Sequence, residues 1–301
     1  MNEVADFALT RVVLSTRVAL DCVDIGPRDA PVLIFLHGFP ESHRTWRHQL
    51  GHFAQDFRVI APDSRGYCQS DKPEDVEHYT ADKLAGNVFA LADALGVDDF
   101  TVVGHDWGGA IAWLVALRGG GRVERLVILN APHPLLFQRA VFDDPEQRAA
   151  SQYVRAFRDP ANDALIAKRG LIGLLLKEVH WDRSPALSDA ERAKMMIDWV
   201  EPGAAMGMLN WYRASQLIVP AIDEEPVRPA WLDAPFPKIT VPTLVIWAID
   251  DKALRPGQLD GLDALVDDLT VVKVPNCGHF VPWEAHETVN AAMADWLGEA
   301  R

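Results

Sequence analysis

Cysteine is nearly absent from this chain of 301 residues, and the little there is stands apart. Cys22, Cys68 and Cys277 are odd in number, widely spaced and free of any CxxC pair. That argues against a disulfide scaffold or a zinc site and predicts reduced thiols in a cytoplasmic protein. Positive charge is also scarce: 29 Lys and Arg against 43 Asp and Glu leave a formal net charge of −14. Nucleic acid and anionic membrane surfaces, both bound through clustered cations, are therefore not expected as partners. Long apolar runs are missing, since the longest, Leu171–Leu176 (LIGLLL), falls far below the roughly 20 residues that cross a bilayer. The opening MNEVADFALT has no basic stretch leading into an apolar one, so no signal peptide is expected. His48 and His52 are spaced i,i+4, but HQLGH lacks the glutamate of a helical zinc motif and a third ligand nearby. They read as surface residues, and no metal is expected. What remains, 49% hydrophobic and 24% charged, is the composition of an ordinary globular protein.

Two patterns divide the chain. ALTRVVL and RVALDCVDI alternate apolar and polar residues, as an antiparallel pair does. Pro31–His37 (PVLIFLH), Phe57–Asp63 (FRVIAPD), Phe100–His105 (FTVVGH) and Arg125–Pro132 (RLVILNAP) are instead short and almost wholly apolar, as parallel strands covered on both faces are. Between them TADKLAGNVFALADAL and GGAIAWLVALRGGG carry helical spacing, the second ending in a glycine stop. From about residue 134 to 234 strand signals vanish and helices are punctuated by Pro and Gly. One of these, SDAERAKMMIDWV, opens on a Ser188-x-x-Glu191 capping box. Strand–helix alternation then returns with PTLVIWAID, LTVVKVP and a last helix near HETVNAAMADWLG. The expected architecture is a mostly parallel, doubly wound α/β core in two parts, 1–133 and 235–301, interrupted by a helical cap at 134–234. Within the cap Met195, Met196, Met206, Met208 and Leu174 suggest an apolar pocket.

The chemistry gathers at strand ends. VVGHDWGGAIAWL (Val102–Leu114) has the outline of a nucleophile elbow, Gly104-x-Asp106-x-Gly108, at a strand-to-helix turn. Glycines flank the centre because the turn is tight, and the helix N-terminus beyond it favours negative charge. Asp250 and Asp251 follow a later strand, and NCGHF places His279 after the last one. Nucleophile, acid and histidine thus appear in that order, each where open α/β sheets assemble their sites.

Together FLHGFPESHRTWRHQL, APDSRGYCQSDKP, GHDWGG, NAPHP, the strand-end DD and NCGHF resemble the epoxide hydrolase branch of the α/β-hydrolases, with haloalkane and haloacetate dehalogenases as close relatives. The resemblance spans essentially the whole chain and implies an aspartate nucleophile at Asp106. A carboxylate suits an alkylating electrophile: it displaces a strained or good leaving group and becomes an ester. The resemblance further implies that His279 activates water against that ester, oriented by Asp251, with Asp250 as the alternative because Ala248 replaces the family's glycine. The oxyanion donors and substrate contacts fall to Phe39 and Trp107, through their backbone N–H groups. His37 and Pro40 shape the oxyanion loop, and Glu41 carries no assigned role. Cys68 stands where relatives have glycine.

The electrophile is decided by the leaving group. Only four tyrosines exist, and Tyr153 and Tyr212 lie in the inserted segment in the registers of the family's two ring-opening tyrosines. They imply a small apolar epoxide and water as reactants, a vicinal diol as product, and no cofactor. Haloalkane dehalogenation with the same triad is the alternative, its halide held by Trp107 and by Trp181 or Trp199. Haloacetate is disfavoured because Trp107 and Ala110 stand where carboxylate-binding arginines would. A non-enzymatic ligand receptor would have little need of the whole triad. An exposed cap or edge strand offers a surface through which two copies could pair as a homodimer.

Overall fold

The computed structural model describes residues 6–171, 184 and 186–298. Its centre is one eight-stranded sheet in the order β1-β2-β4-β3-β5-β6-β7-β8. The strands are β1 (Thr10–Val13), β2 (Ala19–Ile25), β3 (Val32–Leu36), β4 (Arg58–Pro62), β5 (Phe100–His105), β6 (Val123–Leu129), β7 (Thr243–Ala248) and β8 (Leu269–Val274). β1 pairs antiparallel with β2 and β2 antiparallel with β4, and every other neighbouring pair is parallel. The expected strands recur with small shifts; β6 begins two residues earlier than its apolar run, because Val123 still pairs with Phe100.

The unbroken apolar runs are explained by burial on both faces. Along β3, Leu33 and Phe35 join one core with Leu50, Phe53, Val289 and Met293. Ile34 and Leu36 join the opposite core with Leu84, Leu91, Ile111 and Trp113. Alternate side chains of each strand thus feed two separate cores, as the period of two requires. Helices Arg47–Phe53 and His286–Gly298 cover the first face, Ala81–Ala94 and Trp107–Arg118 the second. Each buried Leu, Ile or Phe is stabilised by about 1.5–3 kcal/mol relative to exposure.

Between β6 and β7 the described residues form helices Pro134–Asp143, Pro145–Ala150, Gln152–Arg158, Asp163–Arg169, Asp189–Val200 and Ala204–Ala214, and no strand. The capping box forms as read: Glu191 N–H donates to Ser188 Oγ, and Ser188 N–H to the Glu191 carboxylate. Helix Asp189–Val200 is tied to the loop after β3 and to the start of helix Arg47–Phe53. Ser42 Oγ donates to Asp198 Oδ2 (2.9 Å), Arg47 Nε to Glu191 Oε1 (2.5 Å) and Trp199 Nε1 to the Pro40 carbonyl (2.5 Å).

β3 is the switch point: β4 lies on one side of it and β5 on the other. Leu36 sits level with Gly104, and His105 level with Leu129. The segments leaving β3, β5, β6, β7 and β8 therefore open onto one rim, where such sheets leave a crevice.

Candidate active site

Asp106 occupies the turn between β5 and helix Trp107–Arg118 with φ 51° and ψ −122°. A non-glycine residue held there stores on the order of 1–3 kcal/mol, which surrounding structure must enforce. Close packing does so: a Cβ on Gly108 would stand 2.1 Å from the Leu36 carbonyl oxygen, so only glycine lets the helix press against β3. Gly38 meets a similar limit from the other side, since a Cβ there would lie 2.5 Å from Asp106 Oδ1. The loop after β3 can thus approach, and the Phe39 N–H donates to Asp106 Oδ1 at 2.7 Å. Trp107, first residue of the helix, has an N–H with no acceptor inside it.

His279 follows β8, its Nε2 3.5 Å from Asp106 Oδ2 and its Nδ1 2.7 Å from Asp251 Oδ2. Asp251 is buried, whereas Asp250 is exposed. Asp251 is an acceptor ringed by donors: Oδ2 also takes Asn130 Nδ2 (2.8 Å), and Oδ1 takes the N–H groups of Ala253 (2.8 Å) and Leu254 (2.9 Å). That ring fixes Nδ1 of His279 as the donor and leaves Nε2 toward Asp106.

The charges reinforce one another. Burial disfavours the Asp106 carboxylate, but the hydrogen bond and charge of His279, with the Phe39 N–H, hold it below the usual carboxylate range. Burial likewise favours a neutral His279, yet Asp251 and Asp106 outweigh it and raise the imidazole well above its ordinary value. The resting site is an ion pair with an ionised candidate nucleophile.

Tyr153 and Tyr212 come from helices Gln152–Arg158 and Ala204–Ala214, and both line one cavity of about 510 Å3 with Asp106 and Trp107. Their ring centroids lie 6.1 Å apart. Burial and the negative field of Asp106 push both phenols upward, which keeps them protonated donors. The rest of the cavity wall is mainly apolar, with Leu114, Leu117, Leu135, Phe137, Trp231 and Phe236, and Thr80, Asp82, Gln138, Ser215 and Gln216 add polar groups to it. The methionines expected there do not line it: Met195 and Met208 are buried in the core, and Met196 is exposed on its helix. Leu174 lies outside the described residues. Of the two tryptophans considered as halide donors, Trp199 gives its indole N–H to Pro40, and Trp181 lies outside the described residues.

Three residues without an assigned role stand behind the triad. Asn130, at φ 37°, donates to Asp251 and to the Ala248 carbonyl (3.2 Å) and accepts from the Ala248 N–H (2.8 Å), coupling the ends of β6 and β7. His105 is buried with Nε2 2.8 Å from the His279 carbonyl oxygen, and its Nδ1 lies 3.7 Å from Glu41 Oε2. Burial pushes Glu41 up to about 7, although Trp283 Nε1 donates to its other oxygen at 2.7 Å. Asn130, Glu41 and His105 fall inside the NAPHP, HGFPE and GHDWGG blocks, the one signal that sequence carried. His48 is half-buried and stacks on His286 at 3.9 Å, away from the site.

Residues 31–286 match the family model described as the alpha/beta hydrolase fold. A solved structure of one of the novel epoxide hydrolases of that superfamily from metagenomes of hot environments is 59% identical. It superposes with a TM-score of 0.93 over 97% of this chain and 99% of its own. AB hydrolase superfamily protein YfhM of Bacillus subtilis is 34% identical across 71% of this chain and 77% of its own length. Epoxide hydrolase 3 of Mus musculus is 30% identical across 95% and 77%. The strained aspartate elbow, the strand-end order and these likenesses agree: the chain belongs to the α/β-hydrolase fold family, within its epoxide hydrolase branch.

Proposed function

We propose that this enzyme adds water to an epoxide through an ester on Asp106. The observation that carries the reading is the convergence of an ionised carboxylate and two protonated phenols on one apolar cavity. Asp106 Oδ2 attacks a ring carbon, the carbon–oxygen bond breaks, and the epoxide oxygen takes a proton from Tyr153 or Tyr212. Esterification removes the Asp106 charge, one of the two carboxylates that hold a proton on His279. The imidazole then falls toward neutrality when a base is needed, its proton passing out to restore the tyrosine. His279, held by Asp251, takes a proton from water as that water attacks the ester carbonyl carbon. The Phe39 and Trp107 N–H groups stabilise the oxyanion; on its collapse the ester carbon–oxygen bond breaks, the leaving alkoxide takes the proton of the added hydroxyl and departs as the diol, and Asp106 returns as a carboxylate beside the protonated His279. Residues 134–234 act as a cap that brings the tyrosines over the rim.

Two phenols at the nucleophile favour an epoxide over a haloalkane, whose halide needs indole or amide donors. The three free, buried cysteines support a reducing, cytoplasmic setting. Incubation with styrene oxide tests the activity: the diol must form far above the uncatalysed rate. Halide release from 1-bromobutane without any diol from epoxides would replace this reading with dehalogenation.

A further inference from the structure

Resting on the epoxide reading, the cavity's shape narrows the substrate. Trp107, Ala110, Ile111, Leu114 and Leu117 line it from a single helix. Their spacing is one face over nearly three turns, so the cavity follows the helix about 15 Å away from Asp106. Trp231, Phe236 and Gln216 continue the wall, Trp231 being half exposed.

The other side of the tyrosines is filled. Phe39 packs 5.0 Å from Tyr212 and 5.1 Å from Phe157, and Phe157 lies 4.9 Å from Tyr212 and 5.6 Å from Tyr153, centroid to centroid. Phe39, Phe157 and Trp211 are at most 4% exposed, and none of them lines the cavity. Among the described residues these packed rings close that side of the tyrosines, and the cavity runs along the helix face instead.

We propose that the enzyme is specific for terminal epoxides with one long apolar arm. The unsubstituted ring carbon points at the closed end and the arm lies along the Leu114–Leu117 face. Epoxides with a long arm on each carbon, trans to one another, cannot seat both.

An isomeric pair isolates this claim: 1,2-epoxydecane and trans-5,6-epoxydecane have equal size and apolarity. The terminal isomer should have a kcat/KM higher on the order of a hundredfold, a shape discrimination within the reach of a rigid pocket. Because internal epoxides are also less reactive, two variants remove the chemical bias. Leu117→Trp, blocking the arm, should lower the ratio of kcat/KM for 1,2-epoxydecane to that for 1,2-epoxybutane by roughly tenfold or more. Phe157→Ala, opening the closed end, should raise kcat/KM for the trans isomer. Similar kcat/KM for both isomers, or a ratio unmoved by Leu117→Trp, would overturn the one-armed geometry while leaving epoxide hydrolysis intact. No turnover of any epoxide would overturn the activity and the specificity with it.

Discussion

Replacing Asp251 by asparagine should separate the two halves of the reaction. The backbone N–H groups of Ala253 and Leu254 point at Oδ1, so the new amide must keep its oxygen there and turn its NH2 toward His279 and Asn130. A donor now faces Nδ1, which becomes an acceptor; the imidazole then carries its proton on Nε2 and cannot take one from water. A base held in the wrong tautomer loses on the order of 10³–10⁴ in rate, about 4–5.5 kcal/mol of barrier. Ester formation needs only Asp106 and the tyrosines and should persist. Rapid mixing with a terminal epoxide, then intact-mass analysis, should show the chain heavier by one epoxide while steady-state diol formation collapses. Diol formation within about tenfold of the parent, or collapse without any adduct, would refute this division of labour.

Tyr212→Phe should reduce ester formation about 10²–10³-fold, the scale of one lost acid, with little change in its hydrolysis; single-turnover kinetics resolve the two steps. Asn130→Ala removes three buried hydrogen bonds at about 1 kcal/mol each, and should lower Tm by several degrees and slow ester hydrolysis; a thermal melt and a single-turnover assay read both. Glu41 has a pKa raised from 4.5 to about 7, so between those values the folded state holds more protons than the unfolded and stability falls as pH rises. Glu41→Gln should abolish a loss of about 3 kcal/mol across that window, visible as a flatter Tm profile from pH 5 to pH 8.

The parallel strands were legible because burial on both faces leaves unbroken apolar runs, and the elbow because its glycines are sterically required. Asp251 was favoured over Asp250 by resemblance alone; the distinction lies in burial and in the Ala253 and Leu254 N–H groups, which no spacing displays. Cys68 shows another limit: it stands where relatives have glycine, and at φ 45° it holds the left-handed backbone conformation that glycine adopts without strain, which the residue type alone did not show. The methionines misled because a helix offers apolar residues to the core and to a cavity with the same period. Glu41, His105 and His279 lie far apart in sequence, and only the register of β3, β5 and β8 brings them together.

The most direct test of the central claim is a single turnover in oxygen-18 water with enzyme in excess, followed by digestion and weighing of the Asp106 peptide. An ester cleaved at its carbonyl carbon leaves the heavy oxygen on Asp106 and releases unlabelled diol. Label in the diol, with the Asp106 peptide unchanged, would mean that water attacks the epoxide directly and that Asp106 is not the nucleophile.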